Sequence, residues 1–470
     1  MNTILLRPTD VLFFRDGRPM EGSLAGHGAA WPLPTVTDAA LHAALHRSGL
    51  EAHPHRHAAG SGHGARERKF GCVHSVGPFP VQEKDGNMDW FFPRPFDLVD
   101  GTLQPGIAPA AGFKAGESSL PAPLHYAVGS ALAPTKDAKA KGWLSRAAIE
   151  CYIGADQPAL PFGGGNAVND EDIFDAEHTI GIGIDPETGT AGQGEAAGKI
   201  YSARYLRLRD EWRLGMFARA EDKEFHDPLH GNDLVRALFD GNSSHNILVG
   251  GQQRVCTAEL SKVNGGSLPL PQCRKSGFKS KNGKHFVKWV LLTPAIWPEM
   301  SDGKSARRES EVAKKPHPGG WLPNWVDPKN GAVLLRKISA EERQRRRTLN
   351  YGGKGYRGEE NADEISARLV AALVPKPLVV TGWALPGEEE GGAKPTLLAV
   401  PAGAVYYFEA DSAVEAEKLA SVLNWNGDGD GTAIRNRRST VFGEKGFGIG
   451  VCGTWKFFED VPGRSSNGNH

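Results

Sequence analysis

Tyr201, Tyr205, Arg207 and Arg209 occupy alternating positions along and just beyond the run Ile200 to Leu208. On a strand all four would project from one face. Aromatic rings beside guanidinium groups supply base stacking and phosphate pairing, the chemistry of contact with an unpaired nucleic-acid strand. The same alternation fits a half-buried strand whose tyrosines fill a core. Arg15 and Arg18 flank the turn signal Asp16-Gly17 after the run VLFF, and two arginines about a tight turn could clamp a phosphate or simply border a solvated turn. Near the C-terminus, Gly443, Gly446, Gly448, Gly450 and Gly453 punctuate GEKGFGIGVCGTWKF just after Arg435, Arg437 and Arg438. Glycine lets backbone N–H groups approach an anion closely, which makes Gly446, Gly448 and Gly450 candidate nucleic-acid contacts. The competing reading is a set of glycines that relieves crowding in a bulged or tightly packed strand.

Histidines concentrate from His42 to His63 and include His53, His55 and His57. No cysteine or carboxylate set at ligand spacing accompanies them, so a loop is expected there and no metal. His42 and His46 share a helix face at i and i+4, a spacing that serves general acid–base cleavage of RNA or nothing beyond an exposed face. No Walker loop, HExxH, GxSxG or paired-carboxylate signature occurs, and neither a catalytic residue nor a cofactor is expected.

The chain of 470 residues carries 55 basic and 55 acidic side chains. Zero net charge argues against coating nucleic acid by bulk electrostatics, so any such binding must use local patches. Between Cys273 and Trp289 lie Arg274, Lys275, Lys279, Lys281, Lys284 and Lys288 with no acid, and a second basic run spans Arg336 to Arg357. The five cysteines are scattered and never form CxxC, which suits a reducing cytoplasm. The N-terminus has no signal layout, and no segment approaches the roughly 18 apolar residues of a membrane span.

Positioning these groups requires elements, and the two halves read alike. In the second half, His285 to Thr293 is strand-like, a helix over Ala362 to Val374 has the stripe Ile365, Leu369 and Leu373, and Lys376 to Trp383 pairs with Ala399 to Ala410. A second helix opens at the capping box Ser412 and Glu415, and the glycine stretch leads into a final strand. The first half gives strand Ile4 to Phe14, helix Val36 to Arg47 opened by Thr35 and Asp38, strands His178 to Ile184 and Ile200 to Leu208, helix Asp233 to Phe239, and the closing NILVGGQQRVCTAEL. The linker after Asp185, too long and glycine-rich for a tight hairpin, suits a projecting finger. Ser339 and Glu342 suggest another helix, carrying Arg343, Arg346 and Arg347. The stretches Glu51 to Thr135 and Gln157 to Ala176 read as insertions or loops. The predicted fold is α+β: tandem ferredoxin-like βαββαβ domains with long insertions, spanning 1–260 and 261–470.

The chain resembles the third subunit of the type III-B CRISPR RAMP module, the Cmr effector complex. The resemblance rests on LRPTDVLFFRDGRPM (6–20), GIDPETGTA (183–191), LVGGQQR (248–254), LLTPAIW (291–297), GGWLP (319–323), TGW (381–383), VPAGAVYYFE (400–409) and GFGIGVCGTW (446–455), in order along nearly the whole chain. It implies a non-catalytic subunit that holds the 5′ handle of the CRISPR RNA beside the large polymerase-like subunit and the first backbone subunit. RNA contacts then fall on Arg15 and Arg18, on a thumb from Asp185 to Tyr201, on Gly250, Gly251 and Arg254, and on Gly446 to Gly450. Gln252-Gln253 stands where acidic character is expected of relatives. RAMP folds also admit a metal-independent endoribonuclease acting through His42 or His46, and a third alternative is a protein-assembly module that touches no RNA.

Overall fold

The computed structural model describes residues 1–15, 25–26, 31–48, 50, 73–98, 107–111, 120–130, 142–154, 164–185, 187–191, 200–221, 231–240, 244–261, 266–301, 316–339, 341–342, 362–384 and 392–460. In chain order its first half supplies β1 (Asn2–Pro8), α1 (Pro34–Arg47), β2 (Val73–Lys84), β3 (Asn87–Pro93), β4 (Trp143–Ser145), α2 (Arg146–Ile153), β5 (Ala167–Val168), β6 (Phe174–Ile182), β7 (Ile200–Leu208), β8 (Trp212–Ala220), α3 (Leu234–Leu238), β9 (Ser244–Leu248) and β10 (Val255–Leu260). The second half supplies β11 (Lys284–Leu291), β12 (Ala367–Leu373), β13 (Leu378–Val380), β14 (Leu397–Ala399), β15 (Val405–Ala410), α4 (Ala413–Leu423) and β16 (Gly450–Thr454). The fold is mixed α+β with strand dominating.

An eight-stranded antiparallel sheet runs β9-β10-β1-β8-β2-β3-β4-β5. A second sheet runs β16-β11-β15-β12. Numbering β1, β2, β8 and β10 as first to fourth, their order across the sheet is fourth, first, third, second. The strands β11, β12, β15 and β16 repeat that order. A strand alternates its side chains between faces, so the central strands of both sheets feed two cores. Ile4 and Leu6 of β1 and Leu214, Met216 and Ala218 of β8 pack with Leu41, Ala44 and Leu45 of α1 and with Leu234, Val235 and Leu238 of α3. Their neighbours Leu5 and Phe217 turn the other way, into a core shared with the second sheet through Phe286, Val290, Tyr407 and Val451. The far face of the second sheet, with Trp289, Leu291, Tyr406 and Phe408, is covered by Ala416, Leu419, Ala420 and Leu423 of α4. The layers are therefore helix, sheet, sheet, helix.

Polar groups are sealed between the two sheets. Asp97, just after β3, lies 3.2 Å from the Lys288 ammonium of β11 and accepts hydrogen bonds from the hydroxyls of Tyr152 (2.5 Å) and Tyr407 (3.4 Å). The Lys288 ammonium also sits 3.6 Å from the Tyr152 ring centroid. Burial lowers the Lys288 pKa and Asp97 draws it back up; burial first, then Asp97, raises both tyrosines well above their usual range.

The sequence reading needs correction at several elements. The predicted helix over Ala362 to Val374 is mainly strand β12, because ARLVAAL has apolar cover on both faces: Leu369 enters the α4-side core and Val370 the inter-sheet core. Val405 to Ala410 pairs with β11 and β12, while Leu378 to Val380 pairs with Leu397 to Ala399, the run being split at Pro401, which has no N–H for a ladder. In the first half, the second and third strands of the large sheet are β2 and β8. The predicted pair β6 and β7 instead forms a separate small sheet with Ala25–Gly26. β2 lies inside the stretch read as an insertion, disguised by Gly77, Pro78 and Pro80; Gly77 and Pro78 oppose the single residue Met216 in a bulge. Gln157 to Ala176 likewise contains β5, a turn of helix over Asp170–Ile173 and the start of β6. The N-cap of α1 is Leu33 with Pro34 next, and Asp38 accepts instead from the Ser75 hydroxyl at 2.8 Å. Lys288 belongs to the core and not to a basic patch.

Candidate nucleic-acid interface

The base of β7 carries the candidate interface. Leu206 is buried, and its backbone exchanges hydrogen bonds of 2.9 and 2.7 Å with Leu12, which holds the chain beyond β1 alongside β7. The turn between β9 and β10 then closes on Phe13, whose carbonyl accepts from the Gly251 N–H at 2.8 Å. Gly250 has φ +79°, and a Cβ there would lie 2.6 Å from the Phe13 carbonyl oxygen and 2.8 Å from the Phe14 ring. Only glycine meets both demands. Gln252 and Gln253 follow with φ of 56° and 54°.

These backbone contacts bring side chains from three segments together. Gln252 Oε1 accepts from the Tyr205 hydroxyl at 2.9 Å and from Arg254 Nη2 at 3.2 Å. The Arg254 guanidinium stands 5.1 Å from the Tyr205 ring centroid, and the Phe13 ring is 5.4 Å away at a tilt of 46°. Arg207 pairs with Asp10 at 2.9 Å and with Glu177, and Arg254 lies 3.8 Å from the second Asp10 oxygen. Hydrogen bonding to Arg207 holds the Asp10 carboxyl below its usual range, and the bonds from Glu177 and then Asp10 raise the Arg207 guanidinium. Arg254 Nε is buried without a hydrogen-bond partner among the described residues. The arrangement offers an aromatic ring, an incompletely satisfied guanidinium and a second guanidinium held in place by two exchangeable carboxylates.

The predicted site residues fall into three groups. Tyr205, Arg207, Gly250, Gly251 and Arg254 come together as described; Arg15 is exposed at the end of the segment that carries Phe13. Asp185 is engaged within its own turn, accepting from the N–H groups of Glu187 and Thr188 at 3.0 Å, bonds that lower its pKa. Tyr201 pairs by its backbone with Gly181. Arg18, the side chain of Tyr201, residues 192–199 of the finger, His53, His55, His57 and Arg343, Arg346 and Arg347 lie outside the described residues. Ser339 accepts from the Glu342 N–H at 3.1 Å, as a helix start requires. His42 and His46 meet edge to face at 4.6 Å on α1.

The C-terminal glycines form no open cradle. Gly446, Gly448 and Gly450 are buried, and a Cβ on them would meet Val76 Cα (2.7 Å), the Arg438 carbonyl carbon (2.7 Å) and Trp289 Cε2 (2.6 Å). Phe447 and Ile449 are fully buried between them. Arg438 faces inward too, donating to the Val422 carbonyl and to Asn436, and burial lowers it to about 10. Most of the predicted basic patch near β11 is paired: Lys275 with the Gly429 carbonyl, Lys281 with Asp460, and Lys284 with Asp411.

Sequence reasoning missed Asp10, Phe13, Glu177 and Gln252 as members of the site, although Asp10 directly precedes the VLFF run; Glu177 stands opposite Tyr205 on β6. It also missed four exposed isoleucines, Ile180, Ile182, Ile184 and Ile200, on and beside the finger strands; Ile182 and Ile200 are register partners. Among the described residues no group of side chains is arranged to hold a metal ion, and no helix is long and apolar enough to cross a membrane.

Comparison with known proteins gives a family match to CRISPR-associated protein (Cas_Cmr3) over residues 4–455. The chain is similar to one in the cryo-EM structure of the Type III-B Cmr-beta bound to cognate target RNA, at 13% identity and a TM-score of 0.38, with 86% of each chain covered. It is also similar to one in that complex with target RNA and AMPPnP, state 1, at 13% identity and a TM-score of 0.36, with the same coverage. No curated protein sequence matches.

Proposed function

The chain belongs to the CRISPR-associated Cas_Cmr3 family, the third subunit of the type III-B CRISPR RAMP module, and from that premise we propose that it is a non-catalytic subunit that binds the 5′ handle of the CRISPR RNA and joins the large polymerase-like subunit to the backbone. Each half, 1–260 and 261–470, is read as a ferredoxin-like RAMP domain, a reading supported by the fourth-first-third-second strand order that both sheets share. The observation that carries the RNA reading is the convergence of Tyr205, Arg207 and Arg254 on the rigid Gly250-Gly251 turn, with one guanidinium nitrogen left without a partner. A planar guanidinium next to an aromatic ring binds phosphate and stacks on a base. The stretch from Asp185 to Tyr201, the thumb that the resemblance implies, is read as part of the same interface.

Filter binding of handle-bearing RNA to the purified protein tests this. Arg254→Gln is expected to weaken binding about tenfold, the worth of one charge-assisted contact, without lowering the melting temperature by more than a degree or two. Unchanged affinity removes the cluster from the interface. Incubation with repeat RNA in chelator is expected to give no product, and cleavage lost in His46→Ala would replace this reading with an endoribonuclease.

A further inference from the structure

A second cluster of cationic and imidazole groups lies at the opposite end of β1. Ala218 of β8 pairs with Asn2 at the start of β1, whereas the Tyr205 interface follows the far end of that strand. Arg219, next in β8, pairs with His74 of β2. The segment before β16 is seated on this end: Gly446 packs against the Ser75–Val76 backbone, and Lys445 lies 3.4 Å from Asp38, which holds the Ser75 hydroxyl. Arg437 lies beside Gly443 in the same segment, and its charge and that of Arg219 both act on His74.

These groups are under-satisfied. Among the described residues His74 Nδ1 and Arg437 Nε are both buried without a hydrogen-bond partner, and Arg437 Nη1 meets the Ile434 carbonyl at 3.5 Å. Arg219 keeps an exposed carboxylate, Glu221, at 3.4 Å, and its side chain is 41% exposed, which leaves the cluster open on that side. A buried guanidinium without a bonded anion is unfavourable, and a second one nearby worsens it. Burial, then Arg219, lowers Arg437 to about 10, and burial, Arg437 and Arg219 lower His74 to about 4; Glu444 opposes both shifts.

We propose that His74, Arg219 and Arg437 form a binding pocket for a phosphate-type oxyanion. The neutral His74 donates from Nδ1, Arg437 donates from Nε, and Arg219 swings from Glu221 to close the open side. Its source is either a phosphodiester of the RNA or a free oxyanion. The first rests on the functional reading above; the pocket itself does not.

Melting the full-length protein in inorganic phosphate against chloride of equal ionic strength tests the pocket. A saturable rise in melting temperature is expected, with the apparent phosphate affinity falling about tenfold in Arg219→Gln, a change at a part-exposed position that spares the core. Arg437→Gln is the second variant and is expected to match it. An equal, non-saturating rise in parent and Arg219→Gln is the ordinary effect of phosphate on any protein surface and overturns the proposal. RNA binding across a salt series then assigns the source. A slope in log K against log salt smaller by about 0.7 in Arg219→Gln marks a phosphodiester; an unchanged slope beside a positive phosphate arm marks a free oxyanion. If the parent binds no handle RNA, the functional reading fails while the phosphate arm still decides the pocket.

Discussion

Asp97 is a carboxylate with no access to water, held by an ammonium and two phenols from elements far apart in sequence. Removing it strands the Lys288 charge in the core, so Asp97→Ala is expected to lower unfolding free energy by about 3–5 kcal/mol, measured by urea denaturation. Tyr407→Phe removes one long hydrogen bond and is expected to lose only about 1 kcal/mol. The double change Asp97→Leu with Lys288→Met should recover most of the first loss, since apolar groups can replace a buried pair; a double variant no more stable than Asp97→Ala would show that the ion pair itself is required. At Gly448 the packing is that of a crowded segment: Gly448 has φ +75° and its missing Cβ would collide with the backbone of Arg438 and Ser439. Gly448→Ala is therefore expected to destabilise by more than about 1 kcal/mol, and Gly448→Val more again. A melt unchanged in either variant would contradict the packing described.

Among the elements, legibility followed the strength of the local signal. α4 was readable because Ser412 caps it, accepting from the Glu415 N–H at 3.2 Å, and because its apolar stripe has one partner face; Ser412→Ala should cost about 1 kcal/mol. β12 was not, since a strand buried on both faces loses the period-two pattern and ARLVAAL then fits a helix equally well. β2 was hidden by residues that normally break strands; Gly77 and Pro78 are tolerated here because they occupy a bulge, while Pro80 stands in register opposite Leu214. Tyr205 and Arg207 were legible as a pair on one strand face, whereas Asp10, Phe13 and Gln252 belong to the interface only through tertiary contacts, which no local spacing encodes. The β9–β10 turn carries its own prediction. Two consecutive glutamines in the left-handed region are strained, so Gln253→Gly is expected to raise stability by up to about 1 kcal/mol without loosening the Tyr205–Gln252 bond. A lower urea midpoint in that variant would mean that the Gln253 side chain contributes more than its backbone costs.

Across the whole molecule, the layers bury imidazoles in neutral form, and stability should respond to acid accordingly. His317 accepts from the Gly319 N–H at Nδ1 (2.9 Å), so its proton sits on Nε2, donated to the Val326 carbonyl at 2.9 Å, and burial lowers its pKa. His74 is lowered to about 4. Both take up a proton in the unfolded chain before the folded one. Their contribution is complete above about pH 6.5 and declines as pH falls below it, by about 1.4 kcal/mol per pH unit for each histidine, ending for His74 near pH 4. Urea midpoints between pH 7.5 and 5.5 check this; a flat profile would contradict it, and His74→Asn should remove part of the slope. The packing of sheet on sheet has a further consequence. Single-domain RNA readers of the four-stranded type lay bases across an open sheet, but here Phe79, Trp90 and Phe217 on one sheet share a core with Tyr407 and Trp455 on the other. Each sheet is the other's ligand. Among the described residues the flat face of each sheet is thus spent inside the molecule, and the surface left for further contacts lies along the rim, where strands end and turns begin.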